Sequence, residues 1–456
     1  MKTLLNDDLI IKGARHIHLV GIGGSGMCPI AELLLNKGYT VSGSDRQESE
    51  NTNRLAELGA KIFIGQKAEN VFGADVVCYS AAVHPDNAEL KAAREQGIPT
   101  FERSKLLGAI TRFYNNTIGV AGTHGKTTVS SMITQILLLN KKNPSAVIGG
   151  KLPLVGSACV AGSSDTLVCE SCEFVDSFLE FSPDISVLLN IDDDHLDYFK
   201  TMDNLAASFK KFCDKSKLCY FNGDDDLCKK TVATIGAKTV SYGINKDNFY
   251  HPDNVTPGKF GFSFDVIRDG EKVGHLSMHV PGKHNIYNGL VSFAVCFDSG
   301  VEPAGIDEAL SRFTGAGRRF QFIGEKKGVT VVDDYAHHPT EIAATLSAAK
   351  SLDYKKVIVV FQPYTYSRVA LLKEGMIKSL SLADKVFLTP IVASREENIY
   401  GVKSEDIAKC LPDGKVVSDY NDLASQMAES AEEGDIVITM GAGDIFKVAH
   451  LVLEKL

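Results

Sequence analysis

The stretch that most constrains what this chain can fold into is Ile118 to Thr128, IGVAGTHGKTT. The apolar run Ile118 to Ala121 reads as a buried strand that stops at Gly122. After Lys126, apolar Val129, Met132, Ile133 and Ile136 recur at helical spacing. A strand, a glycine turn and a helix opened by Lys-Thr-Thr is the layout of a phosphate-binding loop. Glycines let backbone N–H groups approach a polyphosphate, and a helix N-terminus favours the anion. In that layout Lys126 neutralises the β- and γ-phosphates and the Thr127 hydroxyl ligates Mg²⁺. One position departs from the general pattern, which carries its first glycine where this chain has Val120.

A chain of 456 residues predicts about three domains. Its 44% hydrophobic and 23% charged content suits globular α/β domains, and the net charge of -9 argues against nucleic acid as a partner. The N-terminus, MKTLLNDDLI, has acids where a secretory leader needs an apolar core, and no apolar run is long enough to span a membrane. The 10 cysteines are scattered, which predicts reduced thiols and a cytoplasmic setting. Cys169 and Cys172 form a CxxC with no second pair, so structural thiols are expected rather than zinc.

Three α/β segments follow in order, about 1–112, 113–315 and 316–456. The first opens with a strand at His16–Val20, then GIGGSGM with glycines 21, 23 and 26 in GxGxxG spacing, a helix, and a second strand ending at Asp45. That geometry cradles a diphosphate and holds a ribose-like hydroxyl, without naming the ligand. Further strands are expected near Lys61–Ile64 and Asp75–Tyr79. In the second segment, Thr166 to Glu170 is an apolar strand ending in an acid. Ile185 to Ile191 is an apolar run that breaks into DDDHLDYF. Acids and a histidine at the ends of central strands lie where such sheets place ligand chemistry, so Glu170 and His195 are candidate ligands, of Mg²⁺ before zinc. Asp192–Asp194 are ligand-facing groups or a solvated, capping turn. A hairpin is expected from Phe260 to Val280 around Asp269-Gly270. His284, Asn285 and Asn288 open a helix, either capping it or meeting a ligand. The third segment predicts strands near Val329–Val332, Val357–Phe361, Lys385–Leu388 and Asp435–Met440, with helices from Pro339 and after Gly443. Arg318 and Arg319, in GAGRRF, form a hinge, an anion clamp or plain surface charge.

Two phosphate-type loops in one chain suggest ATP on one segment and a second diphosphate-bearing substrate on the other. A nicotinamide-dependent oxidoreductase would have no use for Gly-Lys-Thr-Thr. No protein nucleophile is apparent, so a substrate carboxylate attacking the γ-phosphate is the economical chemistry.

The chain resembles the Mur ligases over nearly its whole length. The resemblance is carried by GIGGSGM, SGSD, GTHGKTT, NIDDDHLDYF, GKHNIYN, GAGRRF, DDYAHHPTE, FQPYTYSR and MGAGDI. It implies three domains: a Rossmann-like UDP-sugar-binding domain at 1–112, a central P-loop ATPase domain at 113–315, and a Rossmann-like amino-acid-binding domain at 316–456. It implies a cytoplasmic, ADP-forming ligase, monomeric or homodimeric, that joins L-alanine to UDP-N-acetylmuramate with ATP and Mg²⁺. His124 fits that subgroup, since ligases adding later residues usually have Asn there. A recycling ligase that attaches a tripeptide shares GTHGKTT, but its glycine loop differs from GGSGM and its counterpart of Tyr335 tends to be Phe. Carried over residue by residue, the resemblance implies an ATP site of Gly122, Thr123, His124, Gly125, Lys126, Thr127, Thr128, Asn285 and Asp334. The nucleotide-sugar site is Gly23, Gly24, Ser25, Gly26, Met27, Ser44, Asp45, Ser80 and Arg319. Tyr335, His337 and Arg368 meet the amino acid, while Thr127, Glu170 and His195 hold the metal. Lys126, His195 and Arg368 are the expected catalytic groups. The family's usual run EADESDASF is ESCEFVDSF here, from Glu170 to Phe178, with Glu170 at the metal-ligand position.

Overall fold

Alternating apolar runs and helices build three sheets that are mainly parallel. The computed structural model describes residue 2 and residues 4–258, 260–394, 396–411 and 413–456. Packing divides the chain into two units. One comprises Met1–His251, Ile267–Val273 and Leu290–Ala309, and the other Pro252–Val266, Gly274–Gly289 and Leu310–Leu456.

The first unit holds two sheets. One has five parallel strands in the order Lys61–Ile64, Thr40–Asp45, His16–Val20, Val76–Tyr79, Thr100–Glu102. The chain moves outward in both directions from its first strand, so a crevice opens beyond the ends of His16–Val20 and Val76–Tyr79. The second sheet has ten strands, and the seven that lie wholly in this unit run Ser157–Val160, Ser145–Leu152, Thr166–Glu170, Asn116–Ala121, Ile185–Leu188, Leu218–Asn222, Lys238–Tyr242. Asn116–Ala121 lies at its centre, flanked in parallel by Thr166–Glu170 and Ile185–Leu188. The loop after Ala121 is thereby enclosed by the ends of two neighbouring strands.

Several ionic contacts join these sheets. Arg112 grips Asp8 at 2.6 and 2.7 Å and donates to the Glu180 carbonyl at 2.7 Å. Glu32 receives both Arg54 at 2.9 Å and the Ser157 hydroxyl at 3.0 Å. These carboxylates are buried, and each satisfies several donors, which is what keeps a buried charge tolerable.

The antiparallel hairpin Ser145–Leu152/Ser157–Val160 is absent from the sequence reading, because Gly149 and Gly150 interrupt its apolar pattern. The run Ile185–Ile191 leaves the sheet at Leu188, three residues earlier than expected, since the following backbone turns to the phosphate-type loop.

The second unit carries a six-stranded sheet in the order Gln321–Lys326, Val329–Asp334, Ile436–Met440, Val357–Phe361, Lys385–Leu388, Lys415–Val416. Only the first strand is antiparallel to its neighbour. The helices Pro339–Lys350 and Tyr366–Leu380 follow two of the central strands, the first with Pro at its first position. The expected hairpin forms as Phe262–Arg268 and Glu271–Met278, with Phe260 outside it. Among the described residues, no helix is long and apolar enough to cross a membrane.

Candidate active site

The crevice of the first sheet is lined by the glycine fingerprint. Gly21 and Ile22 donate to the Ser44 carbonyl at 2.8 and 3.0 Å, and Gly23 donates to Asp45 Oδ2 at 2.9 Å. Asn51 holds the Gly23 carbonyl at 2.8 Å. Asp45 therefore grips the loop itself. Ser44, expected among the ligand contacts, is fully buried, and its hydroxyl donates to Glu89 Oε2 at 2.6 Å. It supports the loop through its carbonyl instead. The Met27 side chain is likewise buried in the core. Ser80 stands against the loop, with its Cβ 3.7 Å from where a Cβ on Gly21 would lie.

The second loop is built more tightly. Gly122 has φ +141, and a Cβ there would sit 2.9 Å from Leu189 Cβ and 3.1 Å from the Asn190 nitrogen, so only glycine fits. Asn190 clasps the loop. Its carbonyl accepts from Thr123 N at 3.1 Å, its Oδ1 from His124 N at 2.8 Å, and its Nδ2 donates to the His124 carbonyl at 3.0 Å. Asp192 N donates to Thr123 Oγ1 at 2.9 Å, and Asp192 Oδ2 meets His124 Nε2 at 2.9 Å. Asp192 is thus part of the loop's support, whereas Asp194 caps its own turn by accepting from His195 N at 2.8 Å.

Lys126 opens the helix Lys126–Leu139, and its ammonium lies 2.9 Å from Glu173 Oε2 and 3.0 Å from the Thr123 carbonyl. Burial is the largest single influence and works against its charge, but Glu173, Cys172 and Glu170 together hold the lysine above its ordinary pKa. Glu173 is buried, at 1% exposure. The Thr127 hydroxyl donates to Glu170 Oε1 at 3.2 Å, and Glu170 Oε2 accepts from Gly149 N at 2.7 Å. A Cβ on Gly149 would overlap both Glu170 oxygens, so this close approach requires glycine.

His195 is held at φ 57, its ring 4.8 Å from that of Phe174 and its Nε2 3.7 Å from Asp194. Val175 and Asp176 are also left-handed, at φ 49 and 59, a costly conformation for a β-branched residue. Asp176 is anchored by the Tyr198 hydroxyl at 2.9 Å and by the Ser208 hydroxyl. The strained segment carries Glu173 to Lys126 and Phe174 to His195. Burial raises the Cys169 thiol to about 12 and the Cys172 thiol to about 11, so both stay protonated, as structural thiols do.

The second unit gathers Arg319, Asp334, Tyr335 and His337. Arg318 is a fixed part of the frame. Its Nε donates to Asp333 at 2.8 Å, its other nitrogens to the Gly443 and Gly441 carbonyls at 2.8 and 2.6 Å, and it lies 4.9 Å from both the Tyr335 and Phe446 rings. Arg319 faces Tyr335 at 5.1 Å and Glu341 at 4.0 Å. His337 Nδ1 lies 3.0 Å from the Tyr335 carbonyl and 3.3 Å from Glu341. Arg368 sits in the first turn of Tyr366–Leu380, its N–H on the Thr365 hydroxyl at 3.4 Å. Asn285 spends its amide on the Pro281 carbonyl at 2.6 Å and its Oδ1 on Asn288 at 2.9 Å, a capping arrangement.

Asp334 is buried and accepts from Phe320 N and Ala336 N, both at 2.7 Å. Burial pushes its carboxyl up to about 6, although Arg319 pulls the other way. A raised carboxyl pKa means the native state binds more protons than the unfolded state between about pH 4 and 6, so this group's contribution falls as pH rises through that window. Chemical denaturation of wild type and Asp334→Asn at pH 4 and pH 7 tests this. The difference between them should move toward the variant by up to about 3 kcal/mol, and an unchanged difference would refute the shift.

Three family models match in sequence: the Mur ligase family catalytic domain over residues 16–115, the Mur ligase middle domain over 120–296, and the Mur ligase glutamate ligase domain over 318–443. The chain is 43% identical over 445 residues to the UDP-N-acetylmuramate–L-alanine ligase of Caldicellulosiruptor saccharolyticus, covering 96% of this chain and 98% of that one. It is 41% identical over 451 residues to the ligase of the same name from Alkaliphilus metalliredigens, covering 97% of each. In three dimensions it is similar to the UDP-N-acetylmuramate–alanine ligase of Thermotoga maritima, with a TM-score of 0.83 and 29% identity over 96% of this chain and 98% of that one. A murein peptide ligase from Psychrobacter arcticus shares the fold, with a TM-score of 0.74 at 23% identity over 97% of this chain and 98% of that one. With three successive domain models and full-length relatives in agreement, this chain belongs to the Mur ligase family.

Proposed function

We propose that this protein converts ATP, UDP-N-acetylmuramate and L-alanine to ADP, phosphate and UDP-N-acetylmuramoyl-L-alanine, a peptide-forming step in making peptidoglycan precursor. The observation that carries the reading is the pairing of a Lys126 loop, backed by Glu170, with a separate glycine fingerprint in one unit. The chain is also 43% identical to a relative named for this reaction. We divide the work among three segments, 1–112 for the nucleotide sugar, 113–315 for ATP and 316–456 for the amino acid. We take the reaction to be cytoplasmic.

The muramate carboxylate attacks the γ-phosphorus, a P–O bond forms as the bridge to ADP breaks, and an acyl phosphate results. The neutral amine of alanine then attacks the acyl carbon, the amine proton is released, and phosphate leaves. Both steps gather negative charge on phosphoryl or acyl oxygens, so preorganised donors and cations carry the catalysis. Lys126 supplies a charge fixed by Glu173, and the Gly122–Thr128 backbone supplies N–H groups held in place by Asn190. The donor set fits Mg²⁺, because the Thr127 hydroxyl and Glu170 carboxylate bring hard oxygens together 3.2 Å apart. Thr127 and Glu170, with His195 from the neighbouring loop, would hold the ion, which when bound offsets phosphate charge. Arg368 holds the alanine carboxylate in a planar, bidentate grip, His337 donates beside it, and Tyr335 walls the methyl pocket. Arg319 serves the nucleotide sugar, and Asn285 and Asp334 serve ATP.

The test is ADP release measured with each substrate omitted in turn, over a panel of L-alanine, glycine, L-serine, larger amino acids and a muropeptide-type tripeptide. Turnover should require both the nucleotide sugar and an amino acid, with alanine preferred. An added methylene costs about 1–3 kcal/mol in such a pocket, so rejection of larger residues is incomplete, and Tyr335→Ala should relax it further. Turnover with the tripeptide but not alanine would replace this reading with the recycling ligase. ADP release independent of either substrate would remove the ligase assignment.

A further inference from the structure

Arg103 is the first residue of the helix Arg103–Arg112, directly after the strand Thr100–Glu102. That is a poor place for a cation, because the helix N-terminus carries partial positive charge and favours acids. The side chain is half-buried. Among the described residues, no carboxylate pairs with its guanidinium and no acceptor hydrogen-bonds to it. The other half-buried arginines of this unit have partners, Arg112 in Asp8, Arg54 in Glu32 and Arg268 in Asp298. A half-buried guanidinium with its donors uncommitted, at a position that costs helix stability, calls for an anion supplied from outside the fold.

Its location says which anion. A Cβ built on Gly26 would lie 3.5 Å from Arg103 Cδ and Nε and 3.6 Å from Cζ. The guanidinium therefore lies beside the third glycine of the fingerprint, at the distance of an ordinary contact. Arg103 also lies within electrostatic reach of Cys78, in the strand Val76–Tyr79 that borders the crevice, and of Cys169, in the strand Thr166–Glu170. None of the motif residues carries a positive charge here, since the Gly21–Met27 loop offers backbone N–H groups and the Ser25 hydroxyl.

We propose that Arg103 binds the diphosphate of the nucleotide sugar, its planar fork meeting non-bridging phosphate oxygens beside Gly26. This rests on the nucleotide-sugar reading above. A lysine could supply the charge but not the two parallel N–H donors.

Calorimetric titration separates the possibilities. UDP-N-acetylglucosamine carries the diphosphate but no carboxylate, and UDP-N-acetylmuramate carries both. Arg103→Gln should weaken both ligands by about tenfold or more, and Arg103→Lys should recover only part of that loss. The KM for ATP should stay within about twofold for both variants, which reports an intact fold and an intact Lys126 loop. Unchanged affinity for both sugars in Arg103→Gln would overturn the proposal while leaving the proposed function standing. A loss confined to UDP-N-acetylmuramate would make Arg103 a carboxylate contact and overturn the diphosphate assignment. Failure of wild type to bind either sugar would overturn the function and the proposal together.

Discussion

Lys126→Ala is expected to reduce kcat by about 10²–10³-fold, the scale seen when one preorganised transition-state contact is removed. Nucleotide-sugar affinity, measured by calorimetry, should stay near the wild-type value. The substitution also leaves Glu173 buried without its cation, and breaking a buried pair costs about 3–5 kcal/mol of stability. A second variant separates folding from catalysis. Lys126→Met combined with Glu173→Gln removes both charges, so it should recover most of the lost stability and none of the lost turnover. Turnover within a few-fold of wild type in either variant would take Lys126 out of the reaction.

Glu170→Gln and Gly149→Ala should fail in the same way, although one changes a carboxylate and the other adds only a methyl group. The Gly149 N–H holds Glu170 Oε2 at 2.7 Å, and a Cβ at that position would displace both carboxylate oxygens. Disturbing a ligand or its immediate support typically costs about 10–100-fold in metal affinity. Both variants should therefore need about 10–100-fold more Mg²⁺ for half-maximal turnover. They should also bind Mn²⁺ more weakly when followed by electron paramagnetic resonance, a readout independent of turnover. Identical titrations for wild type and both variants would leave Glu170 with a structural role.

The parts of this molecule readable from sequence are those where a local pattern and its purpose coincide. The strands His16–Val20, Thr166–Glu170, Val357–Phe361 and Lys385–Leu388 have the expected bounds, and the helix Lys126–Leu139 starts where its apolar period does. Glu173 was less legible. Its importance comes from a left-handed turn at Val175 and Asp176, a conformation that no propensity suggests for valine. Asn190 left a faint trace, a lone amide in an apolar run, but what it clasps lies 66 residues away in the chain. Gly149 looked like a strand-breaker, and its value lies in the space it leaves for Glu170. The adjacent arginines were ambiguous for a similar reason. Arg318 is spent on Asp333 and two glycine carbonyls, and only packing distinguishes it from Arg319.

The second unit's strand order constrains the moment at which it can close. Ile436–Met440 lies between Val329–Asp334 and Val357–Phe361, though it is the last strand in sequence. While the chain is being synthesised, its two neighbours have no one to pair with on their inner edges, and Arg318 lacks the Gly441 and Gly443 carbonyls. Open apolar strand edges are templates for aggregation. The sheet therefore cannot assemble progressively on the ribosome, and a chain terminated before residue 436 would present a split sheet rather than a smaller one. One missing strand thus separates a closed sheet from two unpaired halves.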